Sequence, residues 1–442
     1  MSILAGFMVP HPPLAVSEVG RGEEKKIKAT LDAYERVGRE IASLAPDTVI
    51  ITSPHSIMYS DYFHISPGAS ARGDFSRFNA SKVSFEVKYD TELVSQICKL
   101  CDSSSFPAGT DGNRMPELDH GTMVPLYFIN KYYTGYKLVR IGLSGLSLKL
   151  HEDFGEIIEA AVEKLGRKVV FVASGDLSHC QKAEGPYGYK PEGPEYDKRL
   201  IDVMSEGRFE KLKDFDEVFL NKAEECGHRS FVIMAGALKK YEFTSQVLSH
   251  EATFGVGYGI GVYKCMGYKE NETKDPYVLL AQKTIDAYIR ERRVIEPPKD
   301  LPAEMTDNEA GVFVSIHKFG MLRGCIGTFL PTRKNIAEEI ISNAISASTR
   351  DPRFPEIRPD EIGDLSINVD VLTTPEPVSS KDELDAKKYG VIVTKGSRRG
   401  LLLPDLEGVE SVDEQIEIAK QKAGIAPMEE VSLMRFEVRR HI

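Results

Sequence analysis

The stretch VVFVASGDLSHC, residues 169 to 180, begins as an apolar strand and ends as a polar turn. Its first five residues are all apolar, and Ser174, Gly175, Asp176 and His179 follow directly. An uninterrupted apolar run of this length is typical of a strand covered on both faces of a sheet. We expect the glycine to let the backbone turn tightly, so that serine and histidine reach the edge of the sheet.

Other strands of the first 267 residues follow the same plan. Amphipathic helical patterns, such as residues 23–45 and 151–166, lie between several of them. Short apolar strands that alternate with such helices predict an α/β fold with a largely parallel, helix-covered sheet. The candidate strands are Ile3–Val9, Thr48–Thr52, Leu138–Leu143, Val169–Ala173 and Gly257–Tyr263.

A polar segment, GYKENETKDP at residues 267 to 276, interrupts this alternation. We therefore predict a first domain at residues 1–267, a linker at 268–275 and a second domain at 276–442. Strands and helices intermix without a clean repeat in the second domain, which favours an α+β fold.

Composition narrows the functional class. The net charge of −11 argues against a nucleic-acid binder, which usually carries a basic surface. The sequence contains no run of about 18 apolar residues, so it predicts no membrane span. Six scattered cysteines in 442 residues fit a reducing cytoplasm better than a disulfide framework. We expect a cytoplasmic homo-oligomer without nucleic-acid or membrane partners.

Four histidines share one kind of position. His11, His55 and His179 each follow a candidate strand, and His120 lies in a turn that leads into an apolar helix. Ligands of open α/β sheets bind outside the carboxyl ends of the strands, so these imidazoles are expected to meet in one crevice. Two imidazoles with a carboxylate suit non-haem Fe(II), whereas histidine and carboxylate ligands also suit zinc hydrolases. Spacing alone leaves both metals open.

The motifs VPHPP, SPHS, DHGTMVPL and SGDLSH, taken in this order, resemble the set found in class III extradiol ring-cleavage dioxygenases, the LigB-like superfamily that includes Memo-like proteins. The resemblance covers about residues 1 to 265. It implies His11 and His55 as Fe(II) ligands, with zinc or another divalent metal as the alternative. It implies His120 and His179 as acid/base groups, and Ser174 and Asp176 can orient these imidazoles through hydrogen bonds.

The third ligand implied by the family is a glutamate just before an apolar helix. The segment AEECGHRSFVIMAGAL takes that place, and Glu225 is our choice. Glu224, His228 and the more distant Glu251 are rivals.

Two functions follow from the resemblance. One is Fe(II)-dependent ring cleavage of a catechol or aminophenol by O2. The other is a Memo-like metal-binding role in a redox or modification pathway without ring cleavage, because Memo-like relatives replace the carboxylate.

The second domain carries the motif MLRGCIGTF, residues 321 to 329. Gly324 and Gly327 bracket Cys325, and Arg323 precedes it, so either a thiol activated by a guanidinium or a buried cysteine in a tight strand would fit. The motif, with GVFVSI before it and DPRFPEIRPDEI after it, resembles the AMMECR1 domain. Because Memo-like and AMMECR1 modules also occur beside a radical-SAM protein, the fusion implies a shared pathway or a partner of that class.

Overall fold

The computed structural model describes residues 2–269, 275–406 and 408–442. The chain divides into two compact units, Met1–Glu270 and Asn271–Ile442. Residues 270–274 of the predicted linker at 268–275 lie outside the described residues.

The first unit contains strands and helices in alternation. Its strands are Ile3–Val9 (β1), Thr48–Ser53 (β2), Phe63–His64 (β3), Ser70–Phe75 (β4), Ala80–Lys88 (β5), Ala108–Gly109 (β6), Lys137–Gly142 (β7), Val169–Ser174 (β8), Tyr241–Glu251 (β9) and Tyr258–Tyr268 (β10). Its α-helices are Ser17–Gly20 (α1), Lys28–Leu44 (α2), Thr91–Ser104 (α3), His120–Asn130 (α4), Leu148–Leu165 (α5), Glu192–Glu206 (α6), Glu217–Ala223 (α7) and His228–Leu238 (α8).

Six of these strands form one mixed sheet, in the order β7-β2-β8-β1-β10-β9. The four strands β7, β2, β8 and β1 are parallel to one another. At one side of the sheet, β10 pairs antiparallel with β1, and β9 pairs antiparallel with β10. This confirms the predicted α/β fold with a largely parallel sheet. All residues of β2 and β8 are buried, as their continuous apolar runs predicted.

Helices cover both faces of the sheet. Phe7 and Val9 of β1 join the apolar cluster that includes α2 and α4 residues. Gly6, on the opposite face, faces α8 so closely that a Cβ there would lie 2.7 Å from Leu238 Cδ1. The parallel strands β1, β2 and β8 therefore end at the same edge, where the predicted histidines follow them.

The second unit confirms the predicted α+β class. Its α-helices are Pro276–Glu291 (α9), Ala303–Asp307 (α10), Ile336–Thr349 (α11) and Val412–Lys422 (α12). Its strands are Val312–Lys318 (β11), Met321–Gly327 (β12), Leu365–Leu372 (β13), Glu376–Val378 (β14), Gly390–Lys395 (β15), Arg398–Leu402 (β16), Ser432–Phe436 (β17) and Val438–His441 (β18). They form two antiparallel sheets, in the orders β12-β11-β13-β18 and β14-β17-β15-β16.

Candidate metal centre

Three of the predicted histidines meet at the carboxyl edge of the parallel strands. The Nε2 atoms of His11 and His55 are 3.0 Å apart. His120 begins α4, and its ring centroid lies 4.0 Å from that of His55 and 5.5 Å from that of His11. The chain segments after β1 and β2 and the start of α4 thus present their imidazoles to one point.

His179 reaches the same point from the loop after β8. Its ring nitrogen, the Cys226 Sγ and an Asp176 carboxylate oxygen all lie within 4.8 Å of one another. The Tyr187 ring covers one side of His179, with centroids 4.9 Å apart. The structure therefore brings all four predicted histidines together.

Cys226 is the residue that the sequence interpretation missed. Its sulfur and ring nitrogens of His11 and His55 form a second group with all ligand atoms within 4.8 Å of one another. The sulfur is 3.6 Å from His11 Nε2. Cys226 belongs to both groups, so the thiol lies close to the imidazole pair and also to His179.

The carboxylates and the histidine named as candidates for the third ligand make other contacts. Glu225 Oε2 accepts a hydrogen bond from the backbone N–H of His228 at the start of α8, at 2.6 Å. Glu224 binds Lys190, at 2.6 Å. Glu251 Oε2 accepts from the N–H and the hydroxyl of Thr30, both at 2.7 Å. Within the described residues, none of these side chains joins a metal-compatible group with His11 and His55.

His228 is engaged on both sides of its ring. Its Nδ1 lies 3.2 Å from the Tyr196 hydroxyl and its Nε2 lies 2.8 Å from the Leu212 carbonyl oxygen. The ring is fully buried by these neighbours. Among the described residues, the Cys226 thiol is the group that forms a metal-compatible set with the imidazole pair.

The hydrogen bonds of Ser174 fix the tautomer of His11. The Ser174 hydroxyl donates to the carbonyl oxygen of Gly121 at 2.6 Å, because a carbonyl can only accept. The same hydroxyl lies 2.9 Å from His11 Nδ1. Because its proton is already donated to Gly121, it must accept a hydrogen bond from Nδ1, so Nδ1 carries the proton. The lone pair of His11 is therefore on Nε2, the atom that faces His55 and Cys226.

Replacing Ser174 by alanine tests this assignment. We expect metal affinity to fall by about tenfold or more, as is usual when the partner that orients a metal-binding imidazole is lost. The control is Ser230→Ala, since the buried Ser230 hydroxyl donates to the Ser174 carbonyl and contacts no imidazole by hydrogen bond. Equal affinities of the two variants, measured by competition with a chelating dye, would contradict the assignment.

Asp176 binds the backbone of the loop that carries His11. Its Oδ1 accepts from the backbone N–H of His11 at 2.7 Å, and its own N–H points at the Cys226 sulfur, 3.3 Å away. Burial raises the pKa of Asp176 to about 7 despite the hydrogen bond from His11. Both residues expected to orient the imidazoles are thus in contact with His11.

The reason for Gly175 differs from our expectation. The residue does not have a positive φ, so a tight turn does not require glycine here. A Cβ at Gly175 would instead lie 2.0 Å from the Cα of Gly227. The glycine therefore allows the backbone that carries Cys226 to approach the end of β8.

The electrostatics favour neutral imidazoles. Burial lowers the pKa of His11, His55 and His179, and burial together with the His55 ring lowers the pKa of His120 to about 4. Neutral imidazole is the form that binds metals. Two imidazoles and a thiol suit thiophilic transition metals such as zinc, copper and iron, so the donor set fits a metal. A coordinated thiol is deprotonated, which offsets the high pKa that burial gives Cys226.

In the second unit, the guanidinium of Arg323 binds a carboxylate rather than the Cys325 thiol. It donates to Glu361 at 3.0 and 3.2 Å and to the Pro355 carbonyl at 2.7 Å. Lys318 approaches the same carboxylate at 3.3 Å, and both Lys318 and Glu361 are buried. Arg323 therefore anchors the segment that follows α11 to β12.

The glycines and the cysteine of this motif serve close packing. A Cβ at Gly324 would lie 2.3 Å from the carbonyl oxygen of Ala347 in α11, and one at Gly327 would lie 2.2 Å from the Phe313 ring. The half-buried Cys325 accepts a hydrogen bond from the Ser315 hydroxyl at 3.2 Å. Cys325 thus lies within a tightly packed strand, but it is half-buried and not fully buried as the sequence interpretation expected.

In the part of the chain that the structure describes, no helix is both long and apolar enough for a membrane span. Residues 5–261 match the family described as "Catalytic LigB subunit of aromatic ring-opening dioxygenase", and residues 278–441 match AMMECR1.

The chain is similar to one protein over its whole length and to others over about a third of it. Protein CA_C1420 of Clostridium acetobutylicum is 44% identical over an alignment of 467 positions, which covers 100% of this chain and 99% of that protein. A Thermotoga maritima protein is 55% identical over 168 residues, 38% of this chain and 97% of its own length. The crystal structure of uncharacterized protein PH0010 from Pyrococcus horikoshii is 33% identical, with a TM-score of 0.35, and covers 37% of this chain and 88% of its own.

Proposed function

Since the chain belongs to the family of the catalytic LigB subunit and carries an AMMECR1 domain behind it, we propose that its first domain is a Memo-like metal-dependent protein. Its centre is formed by His11, His55 and Cys226. The observation that carries this proposal is the Cys226 thiol beside the two imidazoles. The resemblance to ring-cleaving dioxygenases implies a carboxylate as this third ligand.

The residues around the centre have distinct roles. His11 and His55 offer neutral nitrogens, and Cys226 offers sulfur. A metal bound there would supply Lewis acidity and, if it is iron or copper, electron transfer. His120 and His179 are neutral near pH 7, so each can accept a proton from a ligand at the centre and return it later. We infer a redox or modification role, with a radical-SAM protein as the partner class.

Ring cleavage of a catechol or aminophenol with Fe(II) and O2 is the second candidate. It is favoured by the position of His120 and His179 beside the imidazole pair, because this reaction needs acid/base groups on the substrate side of the metal. The two candidates differ in whether oxygen is consumed when such a ring is offered.

Oxygen uptake by anaerobically prepared, Fe(II)-loaded protein separates them. With a panel of catechols and aminophenols, the Memo-like proposal predicts bound iron without ring-opened product. If product forms, His179→Ala should keep its iron and lose about two orders of magnitude in turnover, as expected when an acid/base group is removed. Such a result would replace our first candidate by the second.

A further inference from the structure

Asp119, the residue before His120, lies at the junction of two parts of the centre. It is the N-cap of α4, and its Oδ1 accepts from the backbone N–H of Thr122 at 2.9 Å. The same oxygen accepts from the Ser53 hydroxyl at the end of β2, at 2.5 Å. Ser53 Oγ in turn accepts from the backbone N–H of His55, at 3.2 Å. Asp119 therefore connects the start of α4 to the loop that carries His55.

The first turn of α4 is also connected to His11 by hydrogen bonds. The carbonyl oxygen of Gly121 accepts from Ser174, whose hydroxyl contacts His11 Nδ1. No larger residue fits at Gly121, since a Cβ would lie 2.4 Å from Ser53 Oγ. The first turn of α4 thus touches the supports of both imidazoles of the pair and also carries His120.

A buried arginine holds this turn in place. Arg140 of β7 is 1% exposed, and its donors bind the carbonyl oxygens of Glu117 at 2.8 Å and Met115 at 2.5 Å. Its Nη1 lies 3.7 Å from Asp119 Oδ2, and both side chains are almost completely buried. A buried cation needs such an anion, so Arg140 and Asp119 fix each other.

We propose that Asp119 is a positioning residue for the metal centre, holding His55 and His120 in one arrangement through Ser53 and the first turn of α4. This inference rests on the proposed function, because it assigns Asp119 a role toward the metal that His55 would bind. An N-cap that merely stabilised α4 would cost stability on removal and leave metal binding alone.

Asp90 provides a matched control. It is the buried N-cap of α3, accepts from the Thr48 hydroxyl at 2.6 Å and pairs with Arg167 at 3.2 Å. Thr48 and Ser53 are the two ends of β2, and the histidines follow only the Ser53 end. Asp90 and Asp119 therefore have the same chemistry at opposite ends of one strand.

The experiment measures the Zn(II) affinity of the full chain by competition with a chelating dye, together with the thermal unfolding midpoint. We expect Asp119→Ala to lose about 10- to 100-fold in affinity, the usual effect of removing a support of a metal ligand. Asp90→Ala should lower the midpoint similarly but change affinity by less than about threefold, as distant sites act independently. Asp119→Asn keeps one oxygen for Ser53 and the Thr122 N–H but removes the anion beside Arg140, so we expect its affinity to lie between those of Asp119→Ala and the wild type.

Ser53→Ala covers the case in which Asp119→Ala does not fold, since it removes only the link between Asp119 and the His55 loop. It should weaken Zn(II) binding in the same direction. Wild-type affinity in Ser53→Ala and in any folded Asp119→Ala protein would overturn the inference. Absence of Zn(II) binding by the wild-type chain would instead overturn the proposed function.

Discussion

Replacing Cys226 by alanine should lower the metal affinity of the chain by about two orders of magnitude or more. Loss of a residue that only orients a ligand costs about 10- to 100-fold, and a direct ligand should cost at least the upper end of that range. The thiol sulfur is one of three donors within 4.8 Å of one another, so its loss leaves two imidazoles. Zn(II) competition with a chelating dye measures the effect.

Glu225→Gln is the matched control for this prediction. Glu225 is the neighbouring residue, is implied as a ligand by the family resemblance, and hydrogen bonds to the His228 N–H. Glutamine keeps an oxygen for that bond, so we expect metal affinity close to that of the wild type. If Glu225→Gln lost metal affinity and Cys226→Ala kept it, the carboxylate of Glu225 would be the third ligand.

Glu361→Gln should strongly destabilise the second unit. The carboxylate is buried between Arg323 and Lys318, and its loss leaves both cations without their anion. Breaking a buried ion pair in this way costs about 3–5 kcal/mol in the free energy of unfolding. Chemical denaturation, followed by a signal from the second unit, measures this loss of unfolding free energy. Asp360→Asn, one residue away in an exposed pair with Arg358, should leave the midpoint unchanged.

The same carboxylate predicts a pH dependence. Burial alone would raise the pKa of Glu361, but the hydrogen bond from Arg323, that from the Arg358 N–H and the charge of Lys318 outweigh it and lower the pKa to about 2. Because this folded pKa lies below the unfolded value of about 4.3, the stabilisation is full above pH 4.3 and disappears as pH falls toward 2. A constant gap in stability between wild type and Glu361→Gln down to pH 2 would contradict this.

The sheet and its histidine edge could be predicted from the sequence because each depends on local pattern. The buried strand β8 follows from five consecutive apolar residues, and parallel strands necessarily end at one edge. His11 and His55 were therefore identifiable without the structure. The second sheet of the C-terminal unit was not, since strands as short as Glu376–Val378 leave little periodicity.

The choice between Glu225 and Cys226 could not be made from the sequence. Two acids and a thiol are consecutive there, and their directions depend on the turn before α8, where Glu224 has a φ of +51°. The contact of Gly175 with Gly227 then sets which side chain faces His11. A thiol directly after the two acids, at the start of the segment that leads into α8, was the available signal, because sulfur is a better ligand for thiophilic metals.

Polar contacts between residues far apart in the chain could not be predicted from the sequence either. Arg140 stands in an apolar strand, and an arginine in such a run signals a buried partner, but its partners lie 21 to 74 residues away in the chain. Arg323 likewise binds Glu361, 38 residues later. Both arginines hold loops in place, which sequence spacing alone does not show.

X-ray absorption at the zinc K-edge of the zinc-loaded chain identifies the atoms that bind the metal. A centre formed by His11, His55 and Cys226 should give one sulfur scatterer at about 2.3 Å and two nitrogen scatterers at about 2.0–2.1 Å, with the sulfur absent in Cys226→Ser and retained in Glu225→Gln. A wild-type shell of nitrogen and oxygen alone would contradict it and return the third position to a carboxylate.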